Sequence, residues 1–267
     1  MGIIEAIKKG FGIANKVLNL VLLVFVFNLI WNLAGIPMGR MTPPPGGTIP
    51  IALALISVLF ILISILVQGG VLASVKDAIK TGAANLDKFI SYGKKFYVRL
   101  LGLGLILVLV IGILGLLSAL IISLAAPSGS TILFVIALIG GIIIGGLGLY
   151  LVILLFPAPY VLVAEDVGII NAIKGSIKFV RANLIKVLGL VVLLILISLG
   201  IGLVIGLIGG GLSLIIKGVA SQILVGLLNS TLNAYLSVLV TGAMMSFYLA
   251  AGSNASAAPE STPSGQA

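Results

Sequence analysis

The chain has 267 residues, 61% of them hydrophobic and only 8% charged, with a mean hydropathy of +1.38. Eight charges per hundred residues cannot supply the polar surface of a soluble globule this large, so the composition predicts an all-α polytopic integral membrane protein. The lack of Cys and His excludes disulfides, Cys–His and Ser–His–Asp nucleophile systems, zinc sites of the usual kind and His-ligated haem. The net charge of +9 sits in a few segments without interleaved stacking aromatics, which favours lipid headgroups over nucleic acid.

Residues 1–16 carry Ile3, Ile4, Ile7, Phe11 and Ala14 at helical spacing, with Glu5, Lys8 and Lys9 between them, and read as an interfacial amphipathic segment. A six-span membrane domain is expected over 17–251 and a disordered tail over 252–267. The first apolar run, 17–36, is long enough to span and lacks a small-residue cleavage site, so it reads as a span and not as a signal peptide; Trp31 lies toward its far end. A turn rich in Pro and Gly follows, then a second span over 49–75. The charged segment 76–99 leads to a third span over 100–124, and a fourth runs from 131 to about 157. A fifth covers 184–208 and a sixth ends at Ala251. The interval 209–229 admits two readings, an external amphipathic helix or the early turns of the last span.

Lys and Arg fall unevenly. The N-terminal segment, the connection between spans 2 and 3 and the connection between spans 4 and 5 hold all of them except Arg40 and Lys217. The positive-inside rule then places both termini in the cytoplasm of a multi-pass cell-membrane protein. The sequon at Asn254 argues for the opposite placement of the tail, and the charge asymmetry outweighs it.

Amphipathic cytoplasmic helices are expected in both basic connections. In the second, Asp166 is expected to cap the helix, with Glu165 beside it at the positive end of the dipole. Ile170, Ile173, Ile177, Val180 and Leu184 form one stripe, and Lys174, Lys178 and Arg181 lie along its edge. Topological anchoring explains such a helix. Contact with a lipid headgroup or a partner is the functional alternative, for which Lys174, Lys178, Arg181, Lys94, Lys95 and Arg99 are the candidates. Inside the spans, Asn28 and Asn32 are one turn apart, as are Asn229 and Asn233. Such residues hydrogen-bond between helices or line a solute path. No ionisable residue sits centrally in a span, which argues against a proton relay. Gly141 with Gly145, and Gly202, Gly206 and Gly210, have the spacing of packed helix faces. A weak repeat aligns the stretch beginning at Arg99 with that beginning at Lys186, so that Gly102 matches Gly189.

The segments APYVLVAEDVGIINAIKGSIKFVRANLIKVLGL and LDKFISYGKKFYVRLLGL, with a closing span ending MMSFYLA, resemble a broad set of uncharacterised six-span prokaryotic membrane proteins, archaeal and bacterial. That set is related to the membrane domain attached to some glycerophosphodiester phosphodiesterases. Glu165, Asp166, Ala172 to Ser176 and Tyr248 approximate its acidic pair, its helix and its closing aromatic. The resemblance implies an architecture and no activity, because the phosphodiesterase chemistry belongs to a separate soluble domain that is missing from this sequence. The expected function is therefore non-catalytic: a membrane-organising component that binds lipids or partners. No cofactor is expected. The partners would be anionic lipids on the cytoplasmic face and other membrane proteins, including a second copy. The alternative is a transporter or channel for an apolar or lipid-like solute.

Overall fold

The computed structural model describes residues 1–39, 50–125 and 131–256. Within them the chain forms helices α1 (Ile3–Lys16), α2 (Leu18–Gly39), α3 (Ile51–Thr81), α4 (Phe89–Ala125), α5 (Thr131–Leu155), α6 (Ala158–Glu165), α7 (Ile169–Ile215) and α8 (Val219–Ser256), with a single 3-10 turn at Leu86–Lys88. Among the described residues six segments are long and apolar enough to cross a membrane: Leu18–Met38, Ile51–Thr81, Leu86–Ser123, Thr131–Glu165, Ile169–Ile215 and Val219–Gly252. This is the organisation of a multi-pass membrane protein. The turn after the first span with its Arg40, the residues after Ala125 and the tail from 257 onward lie outside the described residues.

One boundary left open by the sequence is decided, and two differ from the expectations. The interval 209–229 divides: α7 runs to Ile215, Ile216 is extended, and α8 starts at Val219, so the last span takes most of it. The basic stretch 76–99 before the third span is not a separate helix: Lys76 and Lys80 lie in the last turns of α3, Lys88 in the 3-10 turn, and Lys94, Lys95 and Arg99 in the first turns of α4. The basic helix of the later connection is likewise the first part of α7, joined to its apolar part at Asn183, where φ is −132° and ψ is 26°. The Asn183 amide bonds back to the Phe179 carbonyl at 3.1 Å, the local competition by which Asn interrupts a helix.

The core is concentrated at the basic end of the helices. Leu20, Val75, Phe89, Leu162, Leu190 and Met245 are all almost completely buried there. Away from that end, side chains such as Leu59, Leu116, Ile136 and Leu207 are exposed. Small residues allow the close approaches. A Cβ on Gly10 of α1 would stand 2.7 Å from the Leu239 carbonyl oxygen and 2.9 Å from the Ala243 Cβ, both on α8. A Cβ on Gly93 of α4 would stand 2.6 Å from the Leu66 carbonyl oxygen of α3. The glycines whose spacing suggested packing behave differently. Gly141 does face Ile122 and Ser118, but a Cβ on Gly145, Gly202, Gly206 or Gly210 would have no neighbour within 4 Å. Trp31 stacks on Phe60 of α3, with ring centroids 3.6 Å apart.

Candidate functional site

Every acidic side chain expected to act in the α6–α7 connection is engaged by the fold. Asp166 does not cap α7, whose N-cap is the extended Gly168. Instead it ends α6 in the left-handed conformation, φ 54°, its backbone N–H donating to the Leu162 carbonyl. Asp tolerates this conformation better than most residues. The turn through Val167 and Gly168 separates Asp166 from the helix it was expected to start. Its carboxylate accepts hydrogen bonds from Lys95 and from Arg99 Nη1, the latter at 2.9 Å, and Arg99 also donates to the Val167 carbonyl at 3.2 Å. The hydrogen bond from Lys95, against some desolvation and with help from Arg99, holds the Asp166 carboxyl below its ordinary value of 3.8. Both cations also lie about 5 Å from the buried Phe96 ring, at 5.2 Å and 5.1 Å.

The same corner is gripped from three more helices. Glu165 accepts the Tyr248 hydroxyl of α8. Lys76 of α3 donates to the Val163 carbonyl at 2.8 Å. Ser176 of α7 donates to the Leu154 carbonyl at 2.7 Å, satisfying an acceptor in the last turn of α5, where the proline break leaves carbonyls without helical partners. Asp77 accepts from Tyr92 at 2.5 Å. Among the described residues no group of three metal-ligating side chains of the His, Cys, Asp or Glu type occurs.

The candidate basic residues therefore separate. Lys95 and Arg99 hold the corner together, Lys94 is exposed, and Lys174, Lys178 and Arg181 are exposed with no acidic partner among the described residues. The last three edge a shallow depression of about 570 Å³ with Ile177 and Ala182. The buried face of this helix is Ala172, Ser176, Phe179 and Val180, while Ile170 of the expected stripe is 67% exposed. Of the expected stripe, Val180 is buried and Ile173, Ile177 and Leu184 pack against the core, so the buried face overlaps the stripe but centres on the small residues that let the helix pack closely; a Cβ on Gly175 would stand 2.9 Å from Val161 of α6.

The in-span asparagines are split between two places. Asn28 and Asn233 line a cavity of about 360 Å³ with Ser64, Gln68, Ser237 and Thr241. Asn32 and Asn229 line another of about 440 Å³ with Ser213, Ser221 and Gln222. Asn32 donates to Ser230 of α8 at 2.9 Å and to the Asn28 carbonyl at 3.0 Å.

A feature missed by the sequence reading is that α1 and the first part of α7 are copies of one unit. Gly2, Ile3, Ile4, Ala6, Ile7 and Lys8 recur as Gly168, Ile169, Ile170, Ala172, Ile173 and Lys174. Both glycines are extended N-caps. Ala6, Gly10 and Ala14 are buried, and so are their counterparts Ala172, Ser176 and Val180. The helix breaks at Val17 (φ −112°, ψ 46°) in one copy and at the matching Asn183 in the other. Each copy also docks its first isoleucine alike: Ile3 Cδ1 would be 2.7 Å from a Cβ on Gly189, and Ile169 Cδ1 2.6 Å from one on Gly102. Those two glycines are the pair matched in the weaker repeat. The shared GII-x-AIK string was the signal available in the sequence.

Comparison with known families decides the membership. A family model described as a domain of unknown function, DUF7847, matches residues 1–253. The chain belongs to the DUF7847 family. The match takes in α1 and all six apolar segments, so the repeated unit and the clamped corner both lie inside the DUF7847 domain. No curated protein and no solved structure matches the chain.

Proposed function

We propose that this DUF7847 protein is a non-catalytic component of a prokaryotic cell membrane that gathers anionic lipid headgroups on its cytoplasmic face. The observation that carries this reading is the division of the cations: Lys174, Lys178 and Arg181 are exposed around a depression and have no acidic partner among the described residues, while Lys95 and Arg99 share the Asp166 carboxylate, which offsets one of their two charges. Unpaired lysines beside apolar helix surface attract phosphates, each contributing about 1 kcal/mol near an anionic surface. The engagement of Asp77, Glu165 and Asp166 by Tyr92, Tyr248 and the Lys95–Arg99 pair supports the non-catalytic part, since none is left as a free acid or base. Kinship with the membrane domain of glycerophosphodiester phosphodiesterases remains part of this proposal, as does the inward orientation of the basic end.

The test is native mass spectrometry of the purified protein offered phosphatidylglycerol and phosphatidylcholine. Wild type is expected to retain phosphatidylglycerol preferentially, and the Lys174→Gln, Lys178→Gln, Arg181→Gln variant to lose much of that preference. Equal preference in both proteins overturns the reading.

The two cavities that hold the asparagines favour a second reading, passage of an apolar or lipid-like solute along α2 and α8. Solute flux in proteoliposomes that falls on replacing Asn28 and Asn233 with Leu would establish it, and flux equal to that of protein-free vesicles would dismiss it.

A further inference from the structure

The copy of the basic unit at the N-terminus has a depression of its own on the same helix face, and it is better walled. Lys8, Gly12 and Lys16 of α1 follow one another at four-residue spacing, so they share a face. In the repeat they correspond to Lys174, Lys178 and Ala182 of α7, which line the depression described above. On α1 this face is closed in by the end of α3, through Ala78, Ile79 and Gly82, and by the end of α8, through Ser246 and Leu249. The hollow is open on one side and has a volume of about 650 Å³, within the about 300–1,000 Å³ typical of small-molecule sites.

The charges of this hollow suit an anion. Lys8, Lys9 and Lys16 line it together with Glu5, and Glu5 pairs with Lys9 at 3.5 Å. Lys8 and Lys16 have no acidic partner among the described residues. Gly12, between them, leaves the middle of the face empty, since a Cβ there would meet nothing within 4 Å. Ser246, on the wall and 5% exposed, has a hydroxyl with no hydrogen-bond partner. The rest of the wall is hydrocarbon: Ile13, Ile79 and Leu249, the last two at the ends of membrane-length helices.

We infer that the hollow between α1, α3 and α8 is a binding site for one anionic phospholipid, its phosphate between Lys8 and Lys16 and its glycerol region against Ile79 and Leu249. The inference rests on the lipid-gathering reading proposed above and makes it specific, adding a walled, stoichiometric site to an open surface. The apolar wall favours a phospholipid over a free phosphate ester, which would leave Ile13, Ile79 and Leu249 against water.

The experiment separates the two depressions and the two sources of phosphate. Native mass spectrometry on the full chain counts retained phosphatidylglycerol for wild type, Gly12→Leu, the Lys8→Gln, Lys16→Gln double variant, and the triple Gln variant of α7. Gly12→Leu keeps the net charge, replaces a helix-weakening residue and fills the hollow, so its fold is retained. Wild type is expected to hold one phosphatidylglycerol that survives when the others dissociate. Gly12→Leu should lose that lipid, the double variant should hold it about 10- to 30-fold more weakly, and the α7 variant should keep it. Retention in Gly12→Leu equal to wild type overturns the inference and leaves the α7 reading standing; loss in the α7 variant alone does the same. Displacement of the lipid by millimolar glycerol phosphate or inorganic phosphate overturns the phospholipid assignment in favour of a soluble ester.

Discussion

Arg99 of α4 reaches 2.9 Å to Asp166 at the end of α6, linking the two basic connections of the chain at a residue with positive φ. The ion pair and the backbone conformation are separable by mutation. Asn keeps the αL tendency and loses the charge, whereas Ala loses both. Asp166→Asn should cost about 1 kcal/mol, since the Asp166 side chain is 41% exposed and such pairs are weak, and Asp166→Ala about 1–2 kcal/mol more. Thermal melts in detergent should rank wild type above Asn above Ala. Equal melting of Asn and Ala variants would remove the conformational part of the argument.

The pH dependence follows from the same carboxyl. Its folded value is depressed, so its contribution is present above the unfolded value and is lost as pH falls through the folded one. The stability gap between wild type and Asp166→Asn should therefore be constant near neutrality and close at pH values below 3.8. Denaturation midpoints of the two proteins at pH 7 and pH 3 measure it, and a gap that widened in acid would contradict the pairing.

Docking of α1 on α8 depends on Gly10. The atoms a Cβ would meet there include the Leu239 carbonyl oxygen and the Ala243 Cβ, neither of which can swing away. Gly10→Val should destabilise by about 1–3 kcal/mol and free α1, whereas Gly12→Ala, on the open face, should be neutral or slightly stabilising. Limited proteolysis of the N-terminus would report the difference directly.

Orientation can be read without background labelling, because the chain contains no cysteine. Lys94→Cys and Lys217→Cys place single thiols at the two ends of the helices. In inside-out vesicles an impermeant maleimide should label position 94 and spare position 217. The reverse pattern would invert the proposed topology and move both basic depressions to the outer face.

Much of the fold is legible in the sequence, because sustained hydrocarbon runs leave few alternatives to spanning helices. The site is less so. Asp before a helical pattern looks the same whether it caps the next helix or closes the previous one, and only Lys95 and Arg99, distant in sequence, decide between them. The centre of the buried side of α7 was missed for a related reason: Ala172 and Ser176 carry little hydrophobic signal but allow contact, while Ile170 carries much and remains outside. The asparagine pairs were readable as inter-helix donors, and Asn32 does bond Ser230. Their distribution between two cavities required the helix packing itself.

The concentration of buried side chains at the basic end means that the two halves of each long helix live in different media. Near Leu162, Leu190 and Met245 a helix is surrounded by protein, and at Leu59, Leu116 and Leu207 it is open to its surroundings. With little protein contact to fix helix positions there, acyl chains act on that half as a solvent does on a soluble chain. Under the proposed topology, chain length and saturation in one leaflet become variables of the protein's stability, while the opposite leaflet meets a surface already set.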